Sequence, residues 1–131
     1  MPLDADLREL ATGRNFAAFT TLFEDGQPQT QVMWVDADEE HILINTEVHR
    51  AKFRNIQRDP RVAVMIWDVD DPGRYAEVRG RVTDVVRGQD ARDHIDACAQ
   101  RYAGTPFPGE AIQTERAILR ITPHRVFRRG L

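Results

Sequence analysis

The strongest chemical signal in this chain is the run Thr46-Glu47-Val48-His49-Arg50-Ala51-Lys52-Phe53-Arg54-Asn55-Ile56-Gln57-Arg58-Asp59-Pro60-Arg61. From Arg50 onward it holds Arg50, Lys52, Arg54, Arg58 and Arg61 against a single acid, Asp59. The chain as a whole is mildly acidic, with 18 basic and 21 acidic residues. Lys52 is the only lysine; every other basic residue is arginine. A GC-rich genome, which favours Arg codons, accounts for the excess of arginine; the alternative reading of the lone lysine is a specific need for a compact ammonium. Cations at a helix start oppose the helix dipole unless an anion offsets them, and free first-turn N–H groups bind phosphate well. The pattern therefore points to an anion site at Arg50 and Lys52, with Asn45 and Thr46 on the preceding strand as further donors. The alternative reading of the same charges is a solvated helix face.

Other residues offer less. Trp34 and Trp67 are the only tryptophans and would serve either as walls for a flat ring or as core. His41, His49, His94 and His124 show no metal-ligand spacing, so no metal site is expected. Cys98 is the single cysteine, which excludes an intrachain disulfide and a cysteine-rich zinc site. The chain contains no serine, which removes a Ser-His-Asp hydrolase and a Walker Lys-Ser; Lys-Thr and GxGxxG are also absent. A net charge of −3 argues against a nucleic-acid or membrane-surface binder. No apolar run approaches the roughly 20 residues that span a bilayer. Met1-Pro2-Leu3-Asp4 lacks the start of a signal peptide, so a cytoplasmic protein is expected.

The elements that must position these residues read as one strand-rich domain over residues 1–131. Leu3, Leu7, Leu10 and Ala11 have helical spacing, with Gly13 as a stop. Asn15 to Phe23 and Pro28 to Val35 read as two strands joined at Asp25-Gly26. A polar turn, Asp36 to Glu40, precedes a third strand, His41 to Thr46, and the three are expected to form a meander. Arg50 to Arg58 is helix-compatible, with Phe53 and Ile56 toward the sheet and Arg50, Arg54 and Arg58 on another face. Val62 to Trp67 reads as a strand apolar on both faces, followed by a turn at Asp70 to Gly73. Tyr75 to Val86 is a long strand; Gly80, in register with its apolar set, marks a bulge or a close backbone approach. Its other face, Tyr75, Glu77, Arg79 and Arg81, is polar for a strand of this length. Asp90 to Ala103 reads as a helix with Ile95, Cys98 and Tyr102 on its inner stripe. Arg116 to Thr122 is a last strand, which Val126-Phe127 would extend beyond Pro123. Six or seven antiparallel strands with peripheral helices favour a small barrel over a doubly wound sheet.

These residues resemble a known family. Gly26-x-Pro28-Gln29-x5-Val35, then Thr46 to Val62 with its Arg-x-Lys-x-x-Asn…Arg-Asp-Pro core, then Glu77-Val78-x-Gly80-x-Val82, are similar to the pyridoxamine-phosphate-oxidase-like (PPOX) split β-barrel superfamily. Ile121 to Val126 and the helix segment that carries Tyr102 are similar to its deazaflavin (coenzyme F420)-dependent reductase branch. The resemblance implies a split β-barrel and a homodimer with the cofactor between protomers. It implies that Arg50 and Lys52, with Ala51 and Thr46 beside them, hold the cofactor phosphate. Gln29, Gln31, Val32 and Trp34 would lie along the ring system, and a second protomer would close the groove near Trp67 and Tyr75. The cofactor would do the redox chemistry, and no dedicated acid–base residue is implied. The expected activity is hydride transfer from the reduced deazaflavin to a conjugated small molecule such as a quinone, enone or tetrapyrrole. An FMN-dependent oxidase or reductase of the same superfamily, or a non-catalytic cofactor-binding protein, are the alternatives. The Arg-Leu-His-type run of pyridoxamine-phosphate oxidases proper is not found in the sequence.

Overall fold

The computed structural model describes residues 1–131. Its elements are α1 (Ala5–Thr12), β1 (Phe16–Leu22), β2 (Pro28–Trp34), β3 (Asp36–Ala37), β4 (Ile42–Glu47), α2 (Ala51–Arg58), β5 (Arg61–Asp68), β6 (Asp71–Arg87), α3 (Gln89–Ala103) and β7 (Arg116–Arg129), with a short 3₁₀ turn at Gly109–Ala111. All seven strands join one antiparallel sheet in the order β2-β1-β5-β6-β7-β4-β3. β2 and β3 are therefore the two edges, yet only Val35 separates them in sequence. The sheet curls until its edges meet at that residue, which is buried. This is the split barrel.

One face of each strand fills the barrel. Ala17 and Phe19 of β1, Val62, Val64 and Ile66 of β5, Ala76 and Val78 of β6, Leu119 and Ile121 of β7, and Ile42 and Ile44 of β4 form one core. Leu7 and Leu10 of α1 and Phe53 and Ile56 of α2 join it, as their helical spacing requires. α3 packs on the outside, where Ala91 meets Leu43 of β4 and Ile118 of β7.

The expected three-strand meander does not form. β1 and β2 pair as a hairpin from Phe16↔Trp34 to Leu22↔Pro28, but β4 pairs with β7 and with the two-residue β3. Barrel closure, which local pattern cannot see, sends the chain to the far edge at Val35. The turn assigned to Asp70–Gly73 lies upstream: Val69-Asp70 forms it, Asp68 pairs with Asp71, and the Asp68 carboxylate accepts the Asp70 N–H at 2.9 Å. β7 runs without a break through Pro123, beyond the last β4 pairing at Ile121 and at a register shift against β6, where a missing N–H is tolerated. Gly80 sits opposite Pro123, and a Cβ there would be driven into the Thr122 carbonyl.

Candidate functional site

β4 is buried along its whole length because both faces are covered. Ile44 faces the barrel core and Leu43 faces α3. Its end feeds a tight turn, in which the Arg50 N–H reaches the Glu47 carbonyl at 3.1 Å, and α2 begins at once. Arg50 caps the helix through its backbone only. Ala51 and Lys52 thus open a first turn whose N–H groups lack intrahelical partners. Glu47, 3% exposed, turns away from this end. It accepts the Gln113 and Thr114 N–H groups at 2.8 and 2.9 Å and anchors that loop. Burial raises its pKa, but those donors and Arg116 outweigh it and hold the carboxyl below its ordinary value.

Lys52 is the anomaly at this junction. It is 7% exposed, and neither a hydrogen-bond acceptor nor a carboxylate engages its ammonium. Burial lowers its pKa, and Arg50 and Arg116 lower it further. The residue is largely covered but its ammonium tip is not sealed from solvent, and an anion there would relieve the repulsion from Arg50 and Arg116. Asn55, one turn along the same helix, donates to Thr21 Oγ1 at 3.0 Å and to Gln29 Oε1 at 3.3 Å, which ties β2 to α2. Arg58 donates to Asn55 Oδ1 at 3.1 Å and to the Leu22 carbonyl at 2.9 Å. Arg50, Ala51 and Lys52 thus share the start of α2, Thr46 lies near the end of the strand that precedes it, and Gln29 meets the helix one turn further on, at Asn55.

The remaining expected residues divide by strand parity. Gln31 shares the Gln29 face of β2, opposite Phe19. Val32, 65% exposed, and Trp34 lie on the other face and border a separate cavity of about 300 Å³ under α3. Trp34 is a wall of that cavity: it stacks on Tyr102 at 5.1 Å and 4°, and meets Phe107 edge-on at 6.5 Å. Leu43, Ile95, Phe107 and Arg116 also line it. Asn45 does not serve the anion site. It faces α3, donating to the Ala91 carbonyl at 3.0 Å and accepting Arg116 Nε at 2.8 Å. His49 bonds Thr114 Oγ1 at 2.9 Å. Trp67 and Tyr75 are cross-strand partners on the outer face of β5 and β6, with Tyr75 6.2 Å from Phe127.

A polar chain that sequence spacing did not reveal runs along the cavity. Arg116 Nε donates to Asn45 Oδ1, and Asn45 Nδ2 lies 3.0 Å from His94 Nδ1. His94 Nε2 lies 2.9 Å from Asp36 Oδ2, and Arg101 Nη1 donates to Asp36 Oδ1 at 3.0 Å. Because Asn45 Oδ1 accepts from Arg116, Nδ2 must donate, so a neutral His94 would accept at Nδ1 and carry its proton on Nε2 toward Asp36. Burial works against charge on His94; the bond to Asp36, with Cys98 beside it, outweighs burial and raises the ring's pKa to about 9. A second proton would sit on Nδ1 against the Asn45 amide, so protonation competes with the Asn45–Arg116 bond. Asp36, His94 and Cys98 bring three metal-type donor atoms within 4.8 Å of one another. His94 and Cys98 are four apart on α3, a spacing visible in sequence, but Asp36 joins them only through barrel closure. The Nε2 proton and Arg101 satisfy Asp36 without an ion.

Size alone would choose a different cavity. A larger groove of about 700 Å³ lies between α1 and the β5–β6 turn, beside the same Phe16, Trp34 and Tyr102. Its rim carries Asp6, Glu9, Asp68 and Asp70 against Arg14 and Arg74. That excess of acids repels a phosphate, whereas the α2 junction attracts one.

The sequence matches the family model described as "Pyridoxamine 5'-phosphate oxidase" over residues 3–130. A solved structure described as an F420 reductase is 30% identical, with a TM-score of 0.83, over 95% of this chain and 98% of that one. A conserved hypothetical protein from Mycobacterium tuberculosis is 23% identical, with a TM-score of 0.77, over 98% of this chain and 85% of that one. The heme storage protein from Vibrio cholerae shares the fold at 16% identity and a TM-score of 0.67, over 100% of this chain and 97% of that one. No helix is long and apolar enough to cross a membrane.

Proposed function

The chain belongs to the pyridoxamine 5'-phosphate oxidase family, and on that premise we propose that it is an F420H2-dependent oxidoreductase. It would reduce a conjugated small molecule by hydride transfer. The observation that carries this reading is Lys52, a largely covered lysine at the start of α2 with two cations beside it and no protein counter-anion. A cofactor phosphate fits that vacancy of charge: Arg50 and Lys52 supply two cations, and Ala51 and Lys52 supply first-turn N–H groups. Two charge-assisted contacts at about 1.5–3 kcal/mol each would supply a large share of cofactor affinity. The deazaflavin supplies the hydride; the chain's own residues bind and orient.

Gln29, held by Asn55, would meet the cofactor near its phosphate end, with Gln31 next along the strand. Val32 and Trp34 would meet whatever lies in the cavity. Thr46 stands in the buried strand that sets the position of the α2 start. We assign a second copy of this chain to the outer sheet face. Met65, Trp67 and Tyr75 are only half-buried there, and Phe127 is 56% exposed.

FMN is the second reading, favoured by the family match and served by the same phosphate cradle. Titrating the apoprotein with F420 and with FMN separates the two. On the deazaflavin reading, F420 binds at least about tenfold more tightly, and the protein accelerates oxidation of F420H2 by a quinone. Tighter FMN binding overturns the cofactor assignment. Tight F420 binding without accelerated oxidation by any acceptor leaves a carrier instead of an enzyme.

A further inference from the structure

His94 sits between two neighbours with opposite demands. Asp36 Oδ2, 2.9 Å from Nε2, favours the charged ring. Asn45 favours the neutral one, because its Nδ2 donates to His94 Nδ1 at 3.0 Å. The amide has no bond to spare. Its Oδ1 accepts from Arg116 Nε at 2.8 Å, and its other Nδ2 hydrogen goes to the Ala91 carbonyl at 3.0 Å. A ring protonated at both nitrogens therefore sets donor against donor. Rotating the amide by half a turn relieves the clash at His94 but turns Nδ2 toward Arg116 Nε, so Arg116 must leave. A carboxylate oxygen stands in its path: Glu47 Oε2 accepts no hydrogen bond and lies 3.8 Å from Arg116 Nη1. Glu47 Oε1 is committed to Gln113 and Thr114. The rotation gives up the Asn45–Ala91 and Arg116–Asn45 bonds. It gains a charge-assisted bond from the imidazolium and a closer Arg116–Glu47 pair, so the two arrangements lie close in energy.

We propose that His94 and Asn45 form a pH-operated latch that holds Arg116 in one of two positions. With the ring neutral, Arg116 is latched to Asn45, the arrangement described above. With the ring protonated at both nitrogens, Asn45 turns to His94 and Arg116 closes onto Glu47. The charged and titratable groups around the ring are few. Asp36 comes from β3, and Cys98, with Sγ 3.7 Å from Nε2, from α3. Arg101 of α3 is already bound to Asp36, and Arg116 of β7 stands behind Asn45 of β4. Burial opposes charge on the ring, and Asp36 and Cys98 outweigh it, toward a pKa of about 9. The amide pulls the other way. The proton has consequences beyond the cluster because of what Arg116 and Glu47 touch. The Arg116 guanidinium lies 5.1 Å from the centroid of Phe107, and both side chains line the cavity under α3. Glu47 anchors the Gln113–Thr114 loop and ends the strand that feeds α2. The latch is built from the chain's own residues and stands whichever cofactor the α2 junction holds.

The test is a pH titration of the full chain by NMR. His94 is followed through the ¹⁵N shifts of its ring, detected on the carbon-bound protons, and Arg116 through carbon-detected Nε–Cζ spectra, which survive fast proton exchange. The His94→Gln and Arg116→Lys variants assign the two signals. His94 is expected to titrate with a midpoint between 6.5 and about 9, and the Arg116 Nε shift should change with the same midpoint. His94→Gln, which gains no proton, should abolish the Arg116 response. Asn45→Ala should abolish it too, while His94 still titrates. If Asn45→Ala fails to fold, Asn45→Asp replaces it: its carboxylate accepts from both neighbours at once, so the Arg116 response should vanish and the His94 midpoint should rise by about one unit or more. An Arg116 shift that stays flat across the His94 midpoint overturns the proposal. So does a response that survives the Asn45 substitution, which would make it a through-space charge effect and no latch. A ring that keeps one protonation state across the titration overturns it as well.

Discussion

Lys52 and Arg101 are both largely buried cations, and their surroundings differ in one respect. Arg101 is answered on nearly every side: Asp36 Oδ1 at 3.0 Å, the Thr12 carbonyl at 2.9 Å and the Val35 carbonyl, with only Nε lacking a partner. It bolts α3 to the corner where β2 becomes β3. Lys52 has no such partner. The answered cation ties elements together, and the unanswered one is where we place the cofactor phosphate. The completeness of a buried charge, more than its burial, separates the two roles.

Breaking the completed side should have the largest effect on the fold. Arg101→Met leaves the Asp36 carboxylate and two carbonyls short of donors. It should lower unfolding free energy by about 2–3 kcal/mol, measured by urea denaturation. Lys52→Met should do the reverse. F420 affinity should fall by about tenfold or more, as should that of Arg50→Ala, while the apoprotein of Lys52→Met is no less stable in thermal unfolding. A Lys52→Met protein that binds normally, or that unfolds like Arg101→Met, would erase the contrast.

The same contrast has a pH signature. Lys52's folded pKa is lowered below the unfolded value of 10.5, so the unfolded chain binds the proton more tightly. Its charge penalises the apoprotein below the lowered folded value. The penalty is relieved as pH rises from there to about 10.5, so this contribution to stability grows with pH. Lys52→Met should lack that rise, and bound cofactor should suppress it in the wild type. Trp34→Leu should cost about 1 kcal/mol of stability in urea denaturation, because its stacking on Tyr102 is lost. The smallest effect is expected from Gln31→Ala, exposed on β2, at about twofold in F420 affinity.

Local chemistry made much of this legible in advance. Alternation, Asp25-Gly26 and the helical spacing of Leu7 and Leu10 are short-range signals that mark real elements, and the crowding of cations at Arg50–Lys52 falls at a real helix start. What stayed hidden depends on contacts distant in sequence. Asp36 meets His94 and Arg101 because the sheet closes at Val35, and nothing near Val35 announces closure. Asn45 reads as a spare donor for the anion until β4 is seen buried on both faces. Arg116 reads as one charge among many until its partners are traced. Strand parity could have divided Gln29 and Gln31 from Val32 and Trp34; the two faces became meaningful only once α2 and α3 were seen on different sides of β2.

Because Lys52 is the only lysine, a lysine-labelled sample gives a single side-chain NMR signal from this site. Following its ¹³Cε shift with pH, with and without F420, tests the central claim directly. The account predicts a midpoint below 10.5 in the apoprotein and an upward shift when cofactor binds. A midpoint at the ordinary lysine value that cofactor does not move would contradict it.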